Sequence, residues 1–350
     1  MKSTGDPTWG NGFRLSPRAR KATTIGAVAV AAGLVVSIVT AMTPWPSAML
    51  IRGVFEAGAR DTVKEMLPYV PKTKLIEHPN VSYGNAGVNT TLNAFTPASA
   101  TKALPTVVWI HGGAWISGDK ENVDPYLRIL ASHGYTTISV NYTIAPEAIY
   151  PTAVVQLNDA LAYIIEHAAD LNVDPDQIVL AGDSAGAQLA SQLVAITTNS
   201  DYARLMGIRP ALGENQLVAA ILNCGVYDMK RMSDLTGIPA WGFKIALWGY
   251  TGTKNWSETY AGATMSTIDF VNSSFPPTFI SGGNGDGLTW LQTVPMSAVL
   301  KDAGVDVDEL VWPANHVPAL PHEYQFHLDF KEARAALDRT LEFLATHTHQ

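Results

Sequence analysis

The sequence predicts an α/β fold in which helices cover both faces of a mostly parallel central sheet. From Thr106 onward, short apolar runs alternate with segments of helical spacing, an order typical of parallel strands joined by right-handed crossovers. With 350 residues, 47% of them hydrophobic, the chain can bury the large core that such a sheet needs. The alternation lapses over about 229–274, which predicts a helical cap insertion after the sixth strand.

The elements follow in order along the chain. Residues 44–103 form a predicted connector, with a helix over 55–66 and two antiparallel strands within 75–95. Residues 104–350 form the α/β domain. Its predicted strands cover 106–110, 136–141, 177–181, 217–224, 277–281 and 306–312. Its predicted helices cover 125–132, 154–167, 185–198 and 323–330.

The most informative motif is Gly-Asp-Ser-Ala-Gly at residues 182–186, between a predicted strand and a predicted helix. A Gly-x-Ser-x-Gly at such a turn is the nucleophile elbow of an α/β-hydrolase. Only glycine clears the backbone on either side of so tight a turn. Ser184 also lies at a helix start, where free N–H groups favour a developing anion. Ser184 is therefore the predicted nucleophile.

A second motif, His-Gly-Gly-Ala-Trp at residues 111–115, directly follows a predicted buried strand. Adjacent glycines let a backbone turn its N–H groups into a pocket, as an oxyanion hole requires. The predicted donors are the N–H groups of Gly113, Ala114 and Ala185, the last being the residue after the nucleophile. We expect His111 to pack and hydrogen-bond inside this loop rather than to transfer protons.

With Asn-Tyr-Thr-Ile-Ala-Pro-Glu at residues 141–147, these two motifs make the chain resemble the hormone-sensitive-lipase-like carboxylesterases. The resemblance runs from about Thr106 to the C-terminus. It implies an α/β-hydrolase fold and a serine hydrolase that cleaves small-molecule carboxylic esters. One departure is Ala114, which stands where the family usually has the third glycine of His-Gly-Gly-Gly. Alanine keeps its N–H, so the donor survives provided that the backbone needs no positive φ.

The catalytic acid has two candidates. Asp286 lies in the loop after the predicted strand 277–281, at the edge of the sheet where the nucleophile is expected. The resemblance also implies an acid at this position. Asp228 follows the preceding strand, but a turn or helix cap explains a carboxylate there equally well. We therefore assign the acid to Asp286.

The catalytic base also has two candidates, His316 and His322, which both follow the last predicted strand. In the family, the histidine typically precedes an aromatic residue where a loop meets a helix. Pro-His-Glu-Tyr at residues 321–324 resembles that junction. The resemblance therefore implies His322, with His316 as the alternative.

The composition of the chain argues against several classes of function. A net charge of −8 without a basic stripe in the α/β domain argues against nucleic-acid binding. No zinc-type Cys/His spacing and no phosphate-binding glycine loop occurs, so neither a metal nor a cofactor is expected. The lone Cys224 is expected to be an inert buried residue. Two alternatives to an esterase are an amidase or peptidase on the same fold and a non-catalytic receptor or scaffold.

The N-terminus predicts contact with a membrane. Residues 22–43 are uncharged and mostly apolar, long enough to span a bilayer, and they follow a basic leader at residues 1–21. By the positive-inside rule, this leader is cytoplasmic and a signal anchor holds the catalytic domain outside. The alternative is a secreted protein whose signal peptide is cleaved after Ala41.

The cap insertion is rich in aromatic residues. They form a hydrophobic acyl or alcohol pocket in one interpretation, and simply pack the insertion onto the domain in the other. The residues are Trp241, Phe243, Trp248, Tyr250, Trp256, Tyr260 and Phe270.

Overall fold

The computed structural model describes residues 37–84 and 89–349. The chain divides into two units, Met1–Pro46 and Ser47–Gln350. In the first unit, residues 37–42 are helical. The predicted basic leader 1–21, and the predicted membrane segment 22–43 as far as residue 36, lie outside the described residues. Within the described part of the chain, no helix is long and apolar enough to cross a membrane.

The second unit is built on one mixed sheet, in which the described residues give eight strands in the order β1-β2-β4-β3-β5-β6-β7-β8. β2 pairs antiparallel with both β1 and β4, and every other neighbouring pair is parallel. The predicted antiparallel pair before the parallel sheet is thus confirmed. The strands are β1 (Leu75–Ser82), β2 (Thr91–Pro97), β3 (Leu104–Ile110), β4 (Thr136–Val140), β5 (Val173–Asp183), β6 (Leu217–Asn223), β7 (Thr278–Gly282) and β8 (Val307–Val311).

The core lies on both faces of this sheet. Alternate residues of β3 enter opposite cores, with Val108 in one and Trp109 in the other, because successive strand side chains point to opposite faces. Because helices cover both faces of the sheet, β3, β4 and β7 are buried along their whole length, and the polar residues in them are buried with the apolar ones. The α-helices are α1 (Trp45–Met66), α2 (Asp124–Ser132), α3 (Thr152–Glu166), α4 (Ala185–Thr198), α5 (Ser200–Met206), α6 (Gly237–Thr251), α7 (Tyr260–Thr264), α8 (Val294–Asp302) and α9 (Lys331–His347).

One predicted helix is wrong. Residues 323–330 form only the 3₁₀ turn Tyr324–Phe326, and the helix begins later, at Lys331. Glu323 adopts a left-handed backbone with φ +58°, and Phe330 is extended with ψ 137°, so neither residue can belong to a continuous α-helix. The apolar spacing that predicted a helix here instead buries Tyr324, Phe326 and Leu328 against the core.

Two further elements surround the edge of the sheet where the parallel strands end. The predicted cap follows β6 and consists of α6, α7 and three short 3₁₀ turns. α1 is longer than the predicted helix 55–66, since it begins at Trp45. Arg52 ties α1 to the domain: its Nε donates to the Ile116 carbonyl at 2.6 Å, and its guanidinium pairs with both oxygens of Glu147 at 2.6 and 2.7 Å.

Candidate active site

Ser184 stands at the turn from β5 to α4, in a strained backbone conformation with φ 52° and ψ −121°. Its N–H donates to the Asn223 carbonyl at 2.9 Å, which fixes the turn to the neighbouring strand. A Cβ on Gly182 would lie 2.5 Å from the Gly186 backbone, and a Cβ on Gly186 would overlap the Ile110 carbonyl. Both glycines are therefore steric requirements of the turn that presents the serine.

Three loops at this edge bring a serine, a histidine and an aspartate into one hydrogen-bonded line. His322 Nε2 lies 2.9 Å from Ser184 Oγ, and His322 Nδ1 lies 2.7 Å from Asp286 Oδ2. The second carboxylate oxygen of Asp286 accepts the Leu288 N–H at 2.9 Å. An ionised carboxylate can only accept, so Nδ1 carries the proton and Nε2 is free to accept from the serine.

Opposing influences act on the pKa of His322. Burial lowers it, whereas the charge of the Asp286 carboxylate and its hydrogen bond raise it, and the balance holds this pKa above its usual value. Cys224 itself is fully buried, and burial raises the pKa of its thiol. Cys224 thus lies beside His322 as a neutral thiol, a position that the sequence did not predict.

The two alternative candidates lie apart from this line. His316 Nε2 bonds to Glu332 Oε1 at 2.9 Å, and its ring packs against Trp312 at a centroid distance of 4.8 Å. Asp228 Oδ1 accepts the Lys230 N–H at 2.9 Å, the turn-forming bond expected of a structural aspartate. The structure therefore brings His322 and Asp286 to Ser184, and holds His316 and Asp228 in other contacts.

The loop after β3 lies beside the serine. Gly113 and Ala114 line the same cavity as Ser184, with φ values of +109° and +52°. The expectation that the backbone of Ala114 needs no positive φ is therefore wrong. The alanine adopts a positive φ at a cost of about 1–2 kcal/mol, and it still has an N–H to donate. Ala185 is buried at the first position of α4, where an N–H has no partner within the helix.

His111 has the structural role expected of it. Its ring is buried and stacks on Tyr142 at a centroid distance of 4.5 Å, and Nδ1 lies 2.8 Å from the Gly112 carbonyl oxygen. Burial lowers the pKa of His111, so the imidazole is neutral and donates this bond to the carbonyl. The ring supports the glycine loop from behind.

A cavity of about 1220 Å³ opens above the serine. Its apolar walls come from α1 on one side and from the cap on the other, including Leu50, Val54, Phe55, Ile238, Trp241 and Phe243. The contribution of α1 to the cavity wall was not predicted, because the sequence placed these residues in a connector. The signal was present as apolar residues recurring every three or four positions between Leu50 and Ala59.

The aromatic residues of the cap divide between the two interpretations. Trp241 and Phe243 line the cavity, as the pocket interpretation requires. Tyr250 instead stacks on Trp115 at 5.2 Å, and Trp248 is only 9% exposed beneath the Lys254 ammonium. Each interpretation therefore holds for part of this set of aromatic residues.

Comparisons with known proteins agree with this geometry. A model of the BD-FAE family matches residues 92–298, more than half of the chain. The chain belongs to the BD-FAE family. This BD-FAE protein is 28% identical over 247 residues to esterase LipQ of Mycobacterium tuberculosis, covering 68% of this chain and 56% of LipQ. It is 29% identical to the probable carboxylic ester hydrolase LipM of the same organism, covering 61% of this chain and 49% of LipM.

The chain thus spans about half the length of these curated relatives. Among solved structures, esterase B from Lactobacillus rhamnosis superposes on the BD-FAE protein with a TM-score of 0.69 at 23% identity, covering 86% of this chain and 97% of esterase B. The α/β-hydrolase fold expected from the sequence is confirmed, and so is the resemblance to the hormone-sensitive-lipase-like carboxylesterases.

Proposed function

We propose that this protein hydrolyses carboxylic esters through an acyl-enzyme on Ser184. The observation that carries the proposal is the unbroken line from Ser184 Oγ to His322 and on to Asp286, with separations of 2.9 and 2.7 Å. This line ends at the floor of the cavity, so the serine is reachable by a substrate. Such a constellation is recognised by its geometry and by the role each group can take.

In the proposed acylation, Ser184 Oγ attacks the ester carbonyl carbon while His322 Nε2 takes the hydroxyl proton. The carbonyl oxygen becomes an oxyanion, which the N–H groups of Gly113, Ala114 and Ala185 stabilise. When the tetrahedral intermediate collapses, the bond to the alcohol oxygen breaks. The imidazolium returns its proton to that oxygen, and the alcohol leaves.

Deacylation repeats these steps with water. His322 takes a proton from the water, whose oxygen attacks the acyl carbon, and collapse returns the proton to Ser184 Oγ. The products are the free acid and the original enzyme. Asp286 stays ionised throughout, keeps the proton of the resting imidazole on Nδ1, and stabilises the imidazolium.

An ester is the preferred substrate because the relatives are named esterase and carboxylic ester hydrolase. An amidase or peptidase would use the same three residues, so an anilide analogue must be tested alongside the ester. A non-catalytic receptor would have no need of a serine hydrogen-bonded to a histidine at the floor of an open cavity.

The cavity favours esters with a bulky apolar group. Its volume of about 1220 Å³ exceeds the usual range for a small-molecule site, and its walls from α1 and the cap are largely apolar. Val54 and Ile238 are 63% and 82% exposed, which leaves the mouth between α1 and the cap open to substrate.

For the location of the enzyme, we propose that residues 22–43 anchor the chain in a membrane with the catalytic domain outside the cytoplasm. The support is the apolar run behind a basic leader. Resistance of the full chain to carbonate extraction is the expected result. A mature N-terminus at Met42 would instead indicate a cleaved signal peptide and a secreted enzyme.

The central experiment combines a fluorophosphonate probe with a p-nitrophenyl ester series and the matching anilide. The wild type should label covalently and prefer esters, while Ser184→Ala should lose labelling and lower kcat by about 10⁴–10⁶-fold. An unchanged melting temperature shows that the variant is folded. Labelling that persists in Ser184→Ala would contradict the proposal.

A further inference from the structure

Two carboxyl groups that the proposed mechanism does not use lie against the active site. Asp183 precedes the nucleophile, and Glu323 follows the base. Asp183 is only 3% exposed, and its carboxyl group lies beside that of Glu323, because a Cβ on Gly112 would overlap Asp183 Oδ2 and lie 2.9 Å from Glu323 Oε1. Glu323 Oε1 lies 3.7 Å from His322 Nε2. The pair therefore joins the loop that carries the base to the turn that carries the nucleophile.

A hydrogen bond between two neighbouring carboxyl groups needs a proton on one of them. Asp183 Oδ1 accepts the Trp109 Nε1–H at 2.7 Å, and Oδ2 accepts the Gly112 N–H at 2.8 Å. Neither of these donors is supplied by Glu323, and two ionised carboxylates have no hydrogen to place between them. Burial and the neighbouring Glu323 carboxyl both raise the pKa of Asp183 well above its usual value.

The backbone around the pair is shaped to admit it. Glu323 adopts the left-handed conformation with φ +58°, which is unfavourable for a residue with a side chain. A Cβ on Gly112 would collide with Asp183 Oδ2 and lie 2.9 Å from Glu323 Oε1, so the first glycine of the His-Gly-Gly motif makes room for both carboxyl groups. Strain next to a reacting group persists only where its surroundings hold it in place.

We propose that Asp183 and Glu323 share a single proton, and that this carboxyl–carboxylate pair is a positioning device that holds His322 against Ser184. The inference rests on the proposed function, since it assigns the pair a role in placing the catalytic base. With one proton the pair carries one negative charge. Without that proton it carries two negative charges close together, which repel each other, and the buried Asp183 carboxylate is poorly screened by solvent.

Loss of the shared proton should therefore move the base away from the nucleophile and lower the rate at alkaline pH. Three other titratable groups that face the pair are neutral, and a fourth is the catalytic base. His111 is a neutral imidazole, Tyr142 a buried phenol whose pKa burial raises, and Cys224 a buried thiol. His322 is the base itself.

The decisive variant is Glu323→Gln. A glutamine amide donates to the Asp183 carboxylate, so this variant keeps both the hydrogen bond and the single negative charge but has no proton to lose. Glu323→Ala removes the bond altogether. Glu166→Gln is the matched control, because Glu166 is an exposed carboxylate at the end of α3 that does not line the cavity.

The first readout is the infrared difference spectrum at neutral pH, which does not depend on activity. Wild type minus Glu323→Gln should show the carbonyl band of a protonated carboxyl group, and wild type minus Glu166→Gln should not. In wild type, the band should disappear on raising the pH. Absence of the band from the first difference spectrum would overturn the proposal.

The second readout is kcat against pH. Wild type and Glu166→Gln should lose kcat in alkaline buffer as the infrared band is lost, about tenfold per pH unit beyond the midpoint, whereas Glu323→Gln should not. Glu323→Ala should lower kcat by about 10–100-fold with little change in KM, because the base is misplaced. The inference would be overturned if kcat of Glu323→Gln fell at alkaline pH as it does in the wild type. It would also be overturned if Glu323→Ala left kcat unchanged.

Fluorophosphonate labelling of the wild type at neutral pH separates this inference from the function beneath it. If the wild type neither labels nor hydrolyses esters, the proposed function fails, and the infrared spectrum still reports on the shared proton. If the wild type labels and hydrolyses but the variants behave identically, only the positioning role of the pair is wrong.

Discussion

Substituting Asp286 by asparagine tests the triad most sharply, because the surroundings of this side chain dictate how the amide must sit. In the wild type one carboxylate oxygen accepts the Leu288 N–H at 2.9 Å, and the other accepts His322 Nδ1–H at 2.7 Å. A backbone N–H can only donate. The asparagine oxygen must therefore stay on the side of Leu288, and its NH₂ group must face His322.

This orientation forces the imidazole into the wrong tautomer. Facing an NH₂ donor, His322 Nδ1 must accept, so the ring proton moves to Nε2, the atom that lies 2.9 Å from Ser184 Oγ. A protonated Nε2 cannot take the proton of Ser184. We expect kcat of Asp286→Asn to fall by about 10⁴-fold, which corresponds to about 5.5 kcal/mol in the activation free energy.

The assay is kcat for a p-nitrophenyl ester, with the melting temperature measured on the same preparation. The two side chains have the same shape, so the fold should be retained. Asp228→Asn is the matched control: it removes the other candidate acid, and its retained amide oxygen can still accept the Lys230 N–H. The reasoning would be refuted if Asp286→Asn kept more than about one hundredth of the wild-type kcat, or if Asp228→Asn lost as much kcat as Asp286→Asn does.

Three further predictions follow from the same contacts. His322→Ala should lower kcat about as far as Ser184→Ala, by about 10⁴–10⁶-fold, whereas His316→Ala should retain most activity because His316 contacts Glu332; the reverse result in steady-state assays would move the base to His316. His322 must be neutral to accept a proton, and its pKa is raised, so kcat/KM should fall as the pH drops, with a midpoint above the 6.5 of a free imidazole. A midpoint at or below 6.5 in the measured pH profile would contradict this prediction. Trp241→Ala should lower kcat/KM for long-chain esters more than for acetate, by an amount corresponding to about 1.5–3 kcal/mol. Trp248→Ala should instead lower the melting temperature without changing the chain-length preference. If the two variants had the same chain-length preference, the assignment of Trp241 to the cavity would be wrong.

The sequence by itself determined the parts of this protein that depend on local sterics. Glycines on either side of Ser184 are required by the turn itself, and α4 occupies residues 185–198, the range that its apolar spacing predicts. The buried strands follow in the same way, because short runs rich in apolar and β-branched residues favour strands that helices cover on both faces. These features depend on residues within a few positions of one another, so a short window of sequence contains them.

Other features were decided only by the tertiary structure, because they join residues far apart in the chain. His322 and Ser184 are 138 positions apart. The resemblance of residues 321–324 to the family junction implied His322, but His316 stayed an alternative until the fold brought His322 to the serine. The helix predicted over 323–330 was wrong because Glu323 adopts a left-handed backbone, in a position where its carboxyl group lies beside Gly112 from a distant part of the chain.

The same reason applies to the cavity. An apolar face on α1 is a general signal for burial, and the sequence does not state what that face will cover. In the structure, Arg52 fixes α1 to Ile116 and Glu147, and part of the apolar face becomes a wall of the cavity instead of core. Local sequence thus decided where the nucleophile and the sheet are formed. Long-range packing decided which base, which carboxyl groups and which walls surround that nucleophile, because only the folded chain brings those residues within contact distance.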